Sequence, residues 1–130
     1  MSHINPFGHL DLRVDDMAAA LRFYSALLPA LGFTEEAHGE QWKVWAAPGT
    51  PPDEAYVGVT EQPGHVANGN RVAFWAATPG DVDRVAAVAV AAGAWVESGP
   101  RPCPEYSESY YAVFFADPSG NRFEVYHRTD

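Results

Sequence analysis

The sequence predicts an α+β protein, built from two βαβββ modules that form an open barrel around a shared cleft. Three observations support this fold class: each half begins with a strand-like segment, continues with an amphipathic helix, and ends in short β-rich segments. The halves align after a shift of about sixty residues, and such an internal repeat is typical of pseudo-two-fold architecture. We expect a single domain over residues 1–130, with modules at 5–62 and 69–130.

The first module begins at residues 9–14, where polar and apolar side chains alternate as in a half-buried strand. Asp15 or Asp16 can then act as N-cap of a helix whose apolar residues recur at helical spacing until Gly32. Three shorter β-like segments follow within residues 33–60, separated by loops rich in proline and glycine.

The second module repeats this pattern after a predicted linker at residues 62–70. Its first strand is predicted at 71–76, and the Thr-Pro-Gly-Asp sequence at 78–81 has the features of a helix start. A strand at 94–97 and a loop at 98–109 are expected to complete the path to the last hairpin.

The hairpin is predicted within residues 110–127, where two β-rich runs flank an Asp-Pro-Ser-Gly-Asn turn. Proline presets φ in such a turn, and Gly120 or Asn121 accepts a positive φ. Glu124 lies in the middle of the second run, on its polar face. A buried carboxylate is costly without a cation or a metal, so Glu124 is expected to have a partner elsewhere in the chain.

Bulk properties restrict the function. The chain has a net charge of -9 with seven arginines and one lysine, so no basic stripe exists for a nucleic acid. The longest apolar run, at 85–96, is too short to span a bilayer. Cys103 is the single cysteine and no leader-like segment begins the chain, so we expect a cytoplasmic protein. The expected partner is a small-molecule ligand, with no nucleic acid and no membrane.

The predicted cleft is lined by ionisable and aromatic side chains. If each apolar strand face packs under its own helix, the polar faces of the first and last strands line the cleft. These faces carry His9, Asp11, Arg13, Arg71, Trp75, Arg122, Glu124 and Tyr126. A packed core would not tolerate so many ionisable groups, so we expect a binding or catalytic site. The predicted substrate-binding residues are Trp75, Asp11, Tyr56, Tyr126 and Tyr110.

These residues resemble the vicinal oxygen chelate superfamily, which contains glyoxalases, bleomycin-resistance proteins, fosfomycin-resistance enzymes and extradiol dioxygenases. The resemblance covers nearly the whole chain and is carried by residues 9–16, 23–24, 31–33, 72–74 and 110–126. It implies paired βαβββ modules, commonly in a homodimer, and a lyase-like or dioxygenase-like activity on a small molecule.

In the metal-using members of this superfamily, a histidine of each first strand and a glutamate of a last strand hold a divalent ion. His9 and Glu124 match two of these ligands, so the resemblance implies a divalent metal as the cofactor. Arg71 stands where many members have the other histidine, and Tyr56 falls where some have a further glutamate. Arginine has no lone pair to donate and its charge repels a divalent ion, so this metal site is degenerate.

Each of these residues has more than one interpretation. Glu124 is a metal ligand or general base, or it forms an interior ion pair with Arg71 or Arg122, which we favour. His9 is a ligand, a proton shuttle or a hydrogen-bonded wall residue. Arg71 is either ion-paired or a fork for a carboxylate or phosphate. The loop before the last hairpin, including Tyr106, is either a lid or a plain connection.

Three functions follow from these interpretations. The first is a small-molecule enzyme or pocket protein with a degenerate metal site, in which His9, Glu124 and Arg71 are catalytic. The alternative is a metal-free binding protein of the bleomycin-resistance type, whose acidic surface would attract a cationic compound and sequester it. A third function is metal-free catalysis, in which His9 and Glu124 transfer protons beside the Arg71 guanidinium.

Overall fold

The computed structural model describes residues 6–50 and 54–130, and it has an α+β fold. Two compact units divide between His65 and Val66. Each unit contains one helix and one four-stranded sheet in the order strand, helix, three strands. The predicted α+β class and the repeated βαβββ module are confirmed. In the described part of the chain, no helix combines the length and the apolarity needed to cross a bilayer.

The first unit forms a mixed sheet with one crossover helix. Its elements are β1 (His9–Val14), α1 (Met17–Leu31), β2 (Glu35–His38), β3 (Trp42–Ala46) and β4 (Tyr56–Glu61). The strand order is β1-β4-β3-β2, with β1 parallel to β4 and the other neighbours antiparallel. The parallel pair is joined through α1, β2 and β3, since parallel strands cannot be connected by a tight turn.

Local sequence signals set both ends of α1. Asp16 is the N-cap, and its carboxylate accepts a hydrogen bond from the Ala18 N–H at 2.9 Å. Gly32 ends the helix with a φ of 107°, in the left-handed region that glycine favours. The apolar stripe of α1 packs against β3 and β4 and buries Ala20, Phe23, Tyr24, Leu27 and Leu28.

The second unit has the same arrangement. Its elements are β5 (Arg71–Trp75), α2 (Pro79–Ala91), β6 (Trp95–Pro102), β7 (Tyr111–Ala116) and β8 (Arg122–His127). The strand order is β5-β8-β7-β6, and β5 runs parallel to β8. The Tyr111 hydroxyl donates a hydrogen bond to Asp83 of α2 at 2.7 Å, so the odd-numbered side chains of β7 face the helix.

The opposite face of this second sheet is called the open face. Strand register and alternation place the same-side residues of β5, β8 and β7 on it. These residues are Arg71, Ala73, Trp75, Arg122, Glu124, Tyr126, Ala112, Phe114 and Ala116. The open face therefore carries the five residues of the second module that are predicted to line the cleft, which are Arg71, Trp75, Arg122, Glu124 and Tyr126.

Strand β6 is longer than the sequence predicts. It reaches Pro102, so the loop expected to begin at residue 98 begins later. Val96 pairs with Phe115 and Ser98 pairs with Phe114, which leaves Glu97 as an extra residue on β6. Such a β-bulge interrupts the two-residue alternation on which sequence-based strand prediction depends. The prediction of a loop over residues 98–102 is therefore wrong.

The turn of the last hairpin confirms the prediction made for it. Gly120 has a φ of 89°, the positive φ expected there. The Asp117 carboxylate is 3% exposed and accepts hydrogen bonds from the Ser119 N–H at 2.9 Å and the Asn121 N–H at 2.8 Å. A buried anion is tolerated at this turn because backbone donors surround it. The turn fixes the register of β8 and therefore the position of Glu124.

Candidate functional site

Glu124 lies on the open face and is only 7% exposed. The Tyr110 hydroxyl donates a hydrogen bond to its Oε2 atom. Burial raises the pKa of Tyr110, and the hydrogen bond to Glu124 raises it further. The phenol therefore stays protonated at neutral pH and acts as a neutral donor. The buried carboxylate thus has a partner, but the partner is a phenol and not the predicted cation.

Arg71 and Arg122 pair with Glu97. The Arg71 Nη2 atom lies 3.6 Å from one carboxylate oxygen of Glu97, and the Arg122 Nε atom lies 3.7 Å from the other. Among residues 6–50 and 54–130, which the structure describes, Glu124 forms no ion pair with Arg71 or Arg122, so the interior ion pair favoured from the sequence is absent. The two arginines are opposite each other in register, whereas Glu124 is opposite Ala73, one row further along the sheet. The bulge supplies Glu97 as their counterion.

A cavity of about 330 Å³ opens beside Tyr110, and we call it the tyrosine pocket. It is lined by Ala73, Tyr106, Ser107, Tyr110, Tyr126 and Arg128. The Tyr110 and Tyr126 rings are stacked, with centroids 5.1 Å apart and planes 8° apart. The Tyr106 ring lies 5.1 Å from the Tyr110 ring. The cavity combines aromatic rings with polar groups, and its volume lies at the lower end of the range typical of small-molecule sites.

Trp75 lies next to the pocket without lining it. Its ring meets the Tyr126 ring edge-on with centroids 5.7 Å apart, and the residue is 54% exposed. Of the predicted substrate-binding residues, Tyr110 and Tyr126 line the cavity and Trp75 supports one wall. Because an indole so close to the cavity senses changes in it, tryptophan emission is a natural probe of pocket binding.

The loop before β7 supplies one wall of the tyrosine pocket. The hydroxyls of Ser107 and Ser109 donate hydrogen bonds to the Asp130 carboxylate at 2.8 and 2.5 Å.

The Cys103 side chain at the start of this loop is fully buried, and burial raises the pKa of its thiol. A protonated, buried thiol does not act as a nucleophile. We therefore assign Cys103 a packing role, and the loop is held at both ends.

Three predicted site residues come together in the first unit. The rings of His9 and Tyr56 are stacked, with centroids 4.5 Å apart and planes 6° apart. The His9 Nε2 atom lies 3.2 Å from a carboxylate oxygen of Asp11. His9 thus contacts both an aromatic ring and a carboxylate within the first sheet. Its roles as a ligand, a proton shuttle or a wall residue stay predictions.

The sheet register corrects the position assigned to Tyr56. Tyr56 pairs with His9, the first residue of β1, and Gly58 pairs with Asp11, the third residue. In the second sheet, Glu124 pairs with the third residue of β5. Gly58, not Tyr56, therefore corresponds to Glu124, and unequal loop lengths explain the error. A Cβ atom at position 58 would lie 2.9 Å from the Asp11 Oδ1 atom, so the Asp11 carboxylate takes the space of that side chain.

The residues at the implied ligand positions do not fit a three-ligand metal centre. Arg71 carries a fixed positive charge at one position, and it has no lone pair. His9 contacts Asp11, while Glu124 accepts a hydrogen bond from Tyr110. Among the residues that the structure describes, no three His, Cys, Asp or Glu side chains form a group that could hold a metal ion. Two ligands are fewer than catalytic zinc or facial-triad iron sites use.

Several residues of this site were missed from the sequence. Ala73 and Phe114 share the open face by strand alternation, so the pattern contained a signal for both. Strand alternation does not place Glu97 near the arginines, because a β-bulge reverses the sheet face on which the following side chains are expected. Ser107 and Arg128 lie outside regular strands, where periodicity says nothing about direction.

Comparison with known families and structures agrees with this fold. The sequence profile of the Glyoxalase/Bleomycin resistance protein/Dioxygenase superfamily matches residues 6–125. A search of curated protein sequences found no match. A glyoxalase/bleomycin resistance protein from Albidiferax ferrireducens is 26% identical with a TM-score of 0.79, covering 95% of this chain and 100% of that chain.

Two fosfomycin resistance proteins have the same fold. FosX from Mesorhizobium loti is 20% identical with a TM-score of 0.69, covering 98% of this chain and 95% of that chain. A FosX variant from Listeria monocytogenes is 20% identical with a TM-score of 0.71, covering 98% of this chain and 93% of that chain. That structure is complexed with Mn(II) and 1S,2S-dihydroxypropylphosphonic acid. The profile match spans nearly the whole chain, so the chain belongs to the Glyoxalase/Bleomycin resistance protein/Dioxygenase superfamily.

Proposed function

We propose that this chain binds a small organic molecule in the tyrosine pocket, without the three-ligand metal centre implied by the resemblance. The observation that carries this proposal is the pocket itself, whose lining includes Tyr110, the donor of a hydrogen bond to the carboxylate at the implied ligand position. An arginine replaces the other implied ligand of this module, and a phenol engages the glutamate. The homodimer and the cytoplasmic location implied earlier remain part of the proposal.

The lining of the pocket indicates what it would hold. The stacked rings of Tyr110 and Tyr126 offer apolar surface to a flat or aliphatic ligand body. Tyrosine and serine hydroxyls donate or accept hydrogen bonds that would fix its orientation. Arg128 is the charged residue among those that line the cavity. A neutral or anionic ligand is thus better supported than the cationic compound suggested by the overall charge.

Filling the pocket is the direct test of this proposal. Ala73 lines the cavity, so Ala73→Leu adds bulk there without removing a polar contact. We expect ligands identified by tryptophan quenching to bind the variant at least about tenfold more weakly, since the added side chain takes the volume of three methyl or methylene groups. Ala87→Leu, at an exposed position on α2, is the matched control and should bind normally. Equal binding by both variants would place the ligand elsewhere.

A second candidate function is metal-free proton transfer at the same place. It is favoured by the hydrogen bond from Tyr110 to Glu124, which holds a carboxylate beside a protonated phenol at the pocket. In this candidate, Glu124 takes a proton from a bound ligand and the Tyr110 hydroxyl stabilises the oxyanion that develops. Glu124 must then be reachable from the pocket through movement of the Tyr110 ring.

Isotope exchange separates binding from proton transfer. Ligands that bind in the pocket are incubated in deuterated water, and incorporation or conversion is followed by mass spectrometry. If the second candidate is correct, Glu124→Gln lowers the rate by about a hundredfold, because general-base catalysis typically contributes that much or more. Ligand affinity should change far less, and Tyr110→Phe should lower the rate to an intermediate extent. A rate unaffected by Glu124→Gln would eliminate this candidate and leave binding alone.

A further inference from the structure

Two guanidinium groups on the open face share one carboxylate. Glu97 is the counterion of both Arg71 and Arg122. We infer that these two arginines form a binding site for the anionic group of the ligand, a carboxylate, phosphate or phosphonate, which displaces Glu97. This inference rests on the proposed function and deepens it, because it names the chemical class of the ligand that extends into the tyrosine pocket.

The distances leave the arginine donors available. Charge-assisted hydrogen bonds between guanidinium and carboxylate groups are about 2.7–2.9 Å long. The contacts from Arg71 and Arg122 to Glu97 are 3.6 and 3.7 Å, so they are ion pairs without close hydrogen bonds. Each guanidinium has five N–H donors in a fork that matches a planar oxyanion. With side-chain exposures of 34% and 46%, both can be reached by a ligand.

Phe114 holds the Arg71 guanidinium in place. The Cζ atom of Arg71 lies 4.9 Å from the centre of the Phe114 ring, within the range of a cation–π contact. Phe114 itself is only 4% exposed, so its ring is fixed by packing. A guanidinium that rests on a fixed ring loses little additional freedom when it binds an anion. The site is therefore largely organised before the ligand arrives.

Arg101 lies over the same ring but is already engaged. Its Cζ atom is 5.8 Å from the centre of the Phe114 ring. Its side chain donates hydrogen bonds to Glu105 at 3.0 Å and to Ser98 at 2.8 Å. Arg101 therefore has its own counterion and adds little to the anion site.

Glu124 also faces this site, one row further along β8. Its carboxylate accepts the hydrogen bond from the Tyr110 hydroxyl. When a ligand anion displaces Glu97, the anion and the Glu124 carboxylate both face the two guanidinium groups. The ligand anion is therefore expected at the Arg71 end of the open face, away from Glu124.

The strand register connects the two arginines with the tyrosine pocket. Arg71 and Arg122 are opposite each other, and Ala73 is opposite Glu124 in the next same-face row. Same-face rows are about 7 Å apart along a strand, because each residue rises about 3.3 Å. Ala73 also lines the pocket, so the pocket lies one same-face row from the two arginines. A ligand with an anionic group and a short organic body spans this distance.

Matched probes test the inference. Benzoate and phenylphosphonate carry the anion on a flat body, benzamide is the neutral counterpart, and inorganic phosphate has no body. Calorimetry should show benzoate or phenylphosphonate binding at least about tenfold tighter than benzamide, since hydrogen bonds to charged groups typically contribute that much. Arg71→Gln and Arg122→Gln should each weaken anion binding about tenfold. Glu97→Gln should strengthen it several-fold, because it removes the competing carboxylate.

The controls separate this inference from the proposed function. Arg84→Gln removes one positive charge from α2, where Arg84 pairs with Asp81, and should leave anion binding unchanged. Thermal unfolding of each variant checks that the fold persists. If benzamide binds as tightly as benzoate, or if Glu97→Gln weakens binding, the anion site is wrong while the pocket stands. If phosphate binds as tightly as phenylphosphonate, extension into the pocket is wrong. If no probe is affected by Ala73→Leu, the proposed function itself fails.

Discussion

Arg71→His is expected to raise the affinity of the chain for a divalent metal ion. The substitution removes a fixed positive charge and places an imidazole at the first residue of β5. Together with His9 and Glu124, the imidazole would complete the two-histidine-one-carboxylate set implied by the superfamily resemblance. Affinity for Zn²⁺ or Co²⁺ should rise, because a third ligand is added and a repelling charge is lost. Elemental analysis after gel filtration and Co²⁺ absorption spectra measure this gain.

Two controls make the metal result specific. Arg71→Ala removes the same charge without adding a donor, so it should not bind metal. Adding His9→Ala to Arg71→His removes one ligand of the set and should abolish the gain. The expectation rests on the superfamily resemblance, which assigns His9, position 71 and Glu124 to one ligand set. A folded Arg71→His variant with no gain in metal binding would contradict it.

Gly99→Ala is expected to destabilise the protein by about 2–6 kcal/mol. Gly99 has a φ of 88°, where an L side chain is strained by about 1–3 kcal/mol. A Cβ atom there would lie 2.5 Å from the Ala112 carbonyl oxygen and 3.2 Å from the Val113 Cα atom, so the backbone of β7 would have to shift. Overpacking of this kind adds about 1–3 kcal/mol. Urea or thermal unfolding monitored by circular dichroism measures the loss.

Gly93→Ala is the matched control for Gly99→Ala. Gly93 also has a positive φ, 109°, but a Cβ atom there would have no heavy atom within 4 Å. Its replacement should cost only the backbone strain, about 1–3 kcal/mol. The difference between the two variants isolates the contact of Gly99 with β7. Equal losses would mean that β7 accommodates the added methyl group without cost.

Much of the fold could be predicted because its signals are local. The alternation in β1 and the helical stripe of α1 each arise within one element, and both elements form where expected. The sequence left the choice between Asp15 and Asp16 as N-cap open. The Asp15 carboxylate accepts a hydrogen bond at 2.7 Å from the Gly64 N–H, far along the chain, and Asp16 caps α1. Such a choice depends on tertiary contacts.

The candidate site was predicted only in part, for reasons that differ between residues. Glu124, Tyr110 and Tyr126 were identified because alternation places a carboxylate and aromatic rings on one strand face. Tyr56 was matched to the wrong position, because an alignment of repeats with unequal loops does not determine strand register. Glu97 was not considered as a counterion, since its side chain is directed by a bulge.

The sequence alone determined the α+β class, the repeat and the arginine at an implied ligand position, because all three depend on residue identity and short-range periodicity. The tertiary structure decided which charges meet. In the folded chain, Arg71 and Arg122 pair with Glu97, and the Tyr110 hydroxyl donates a hydrogen bond to Glu124. Partner choice between side chains depends on strand register and bulges, and these are set by packing across the sheet rather than by local pattern.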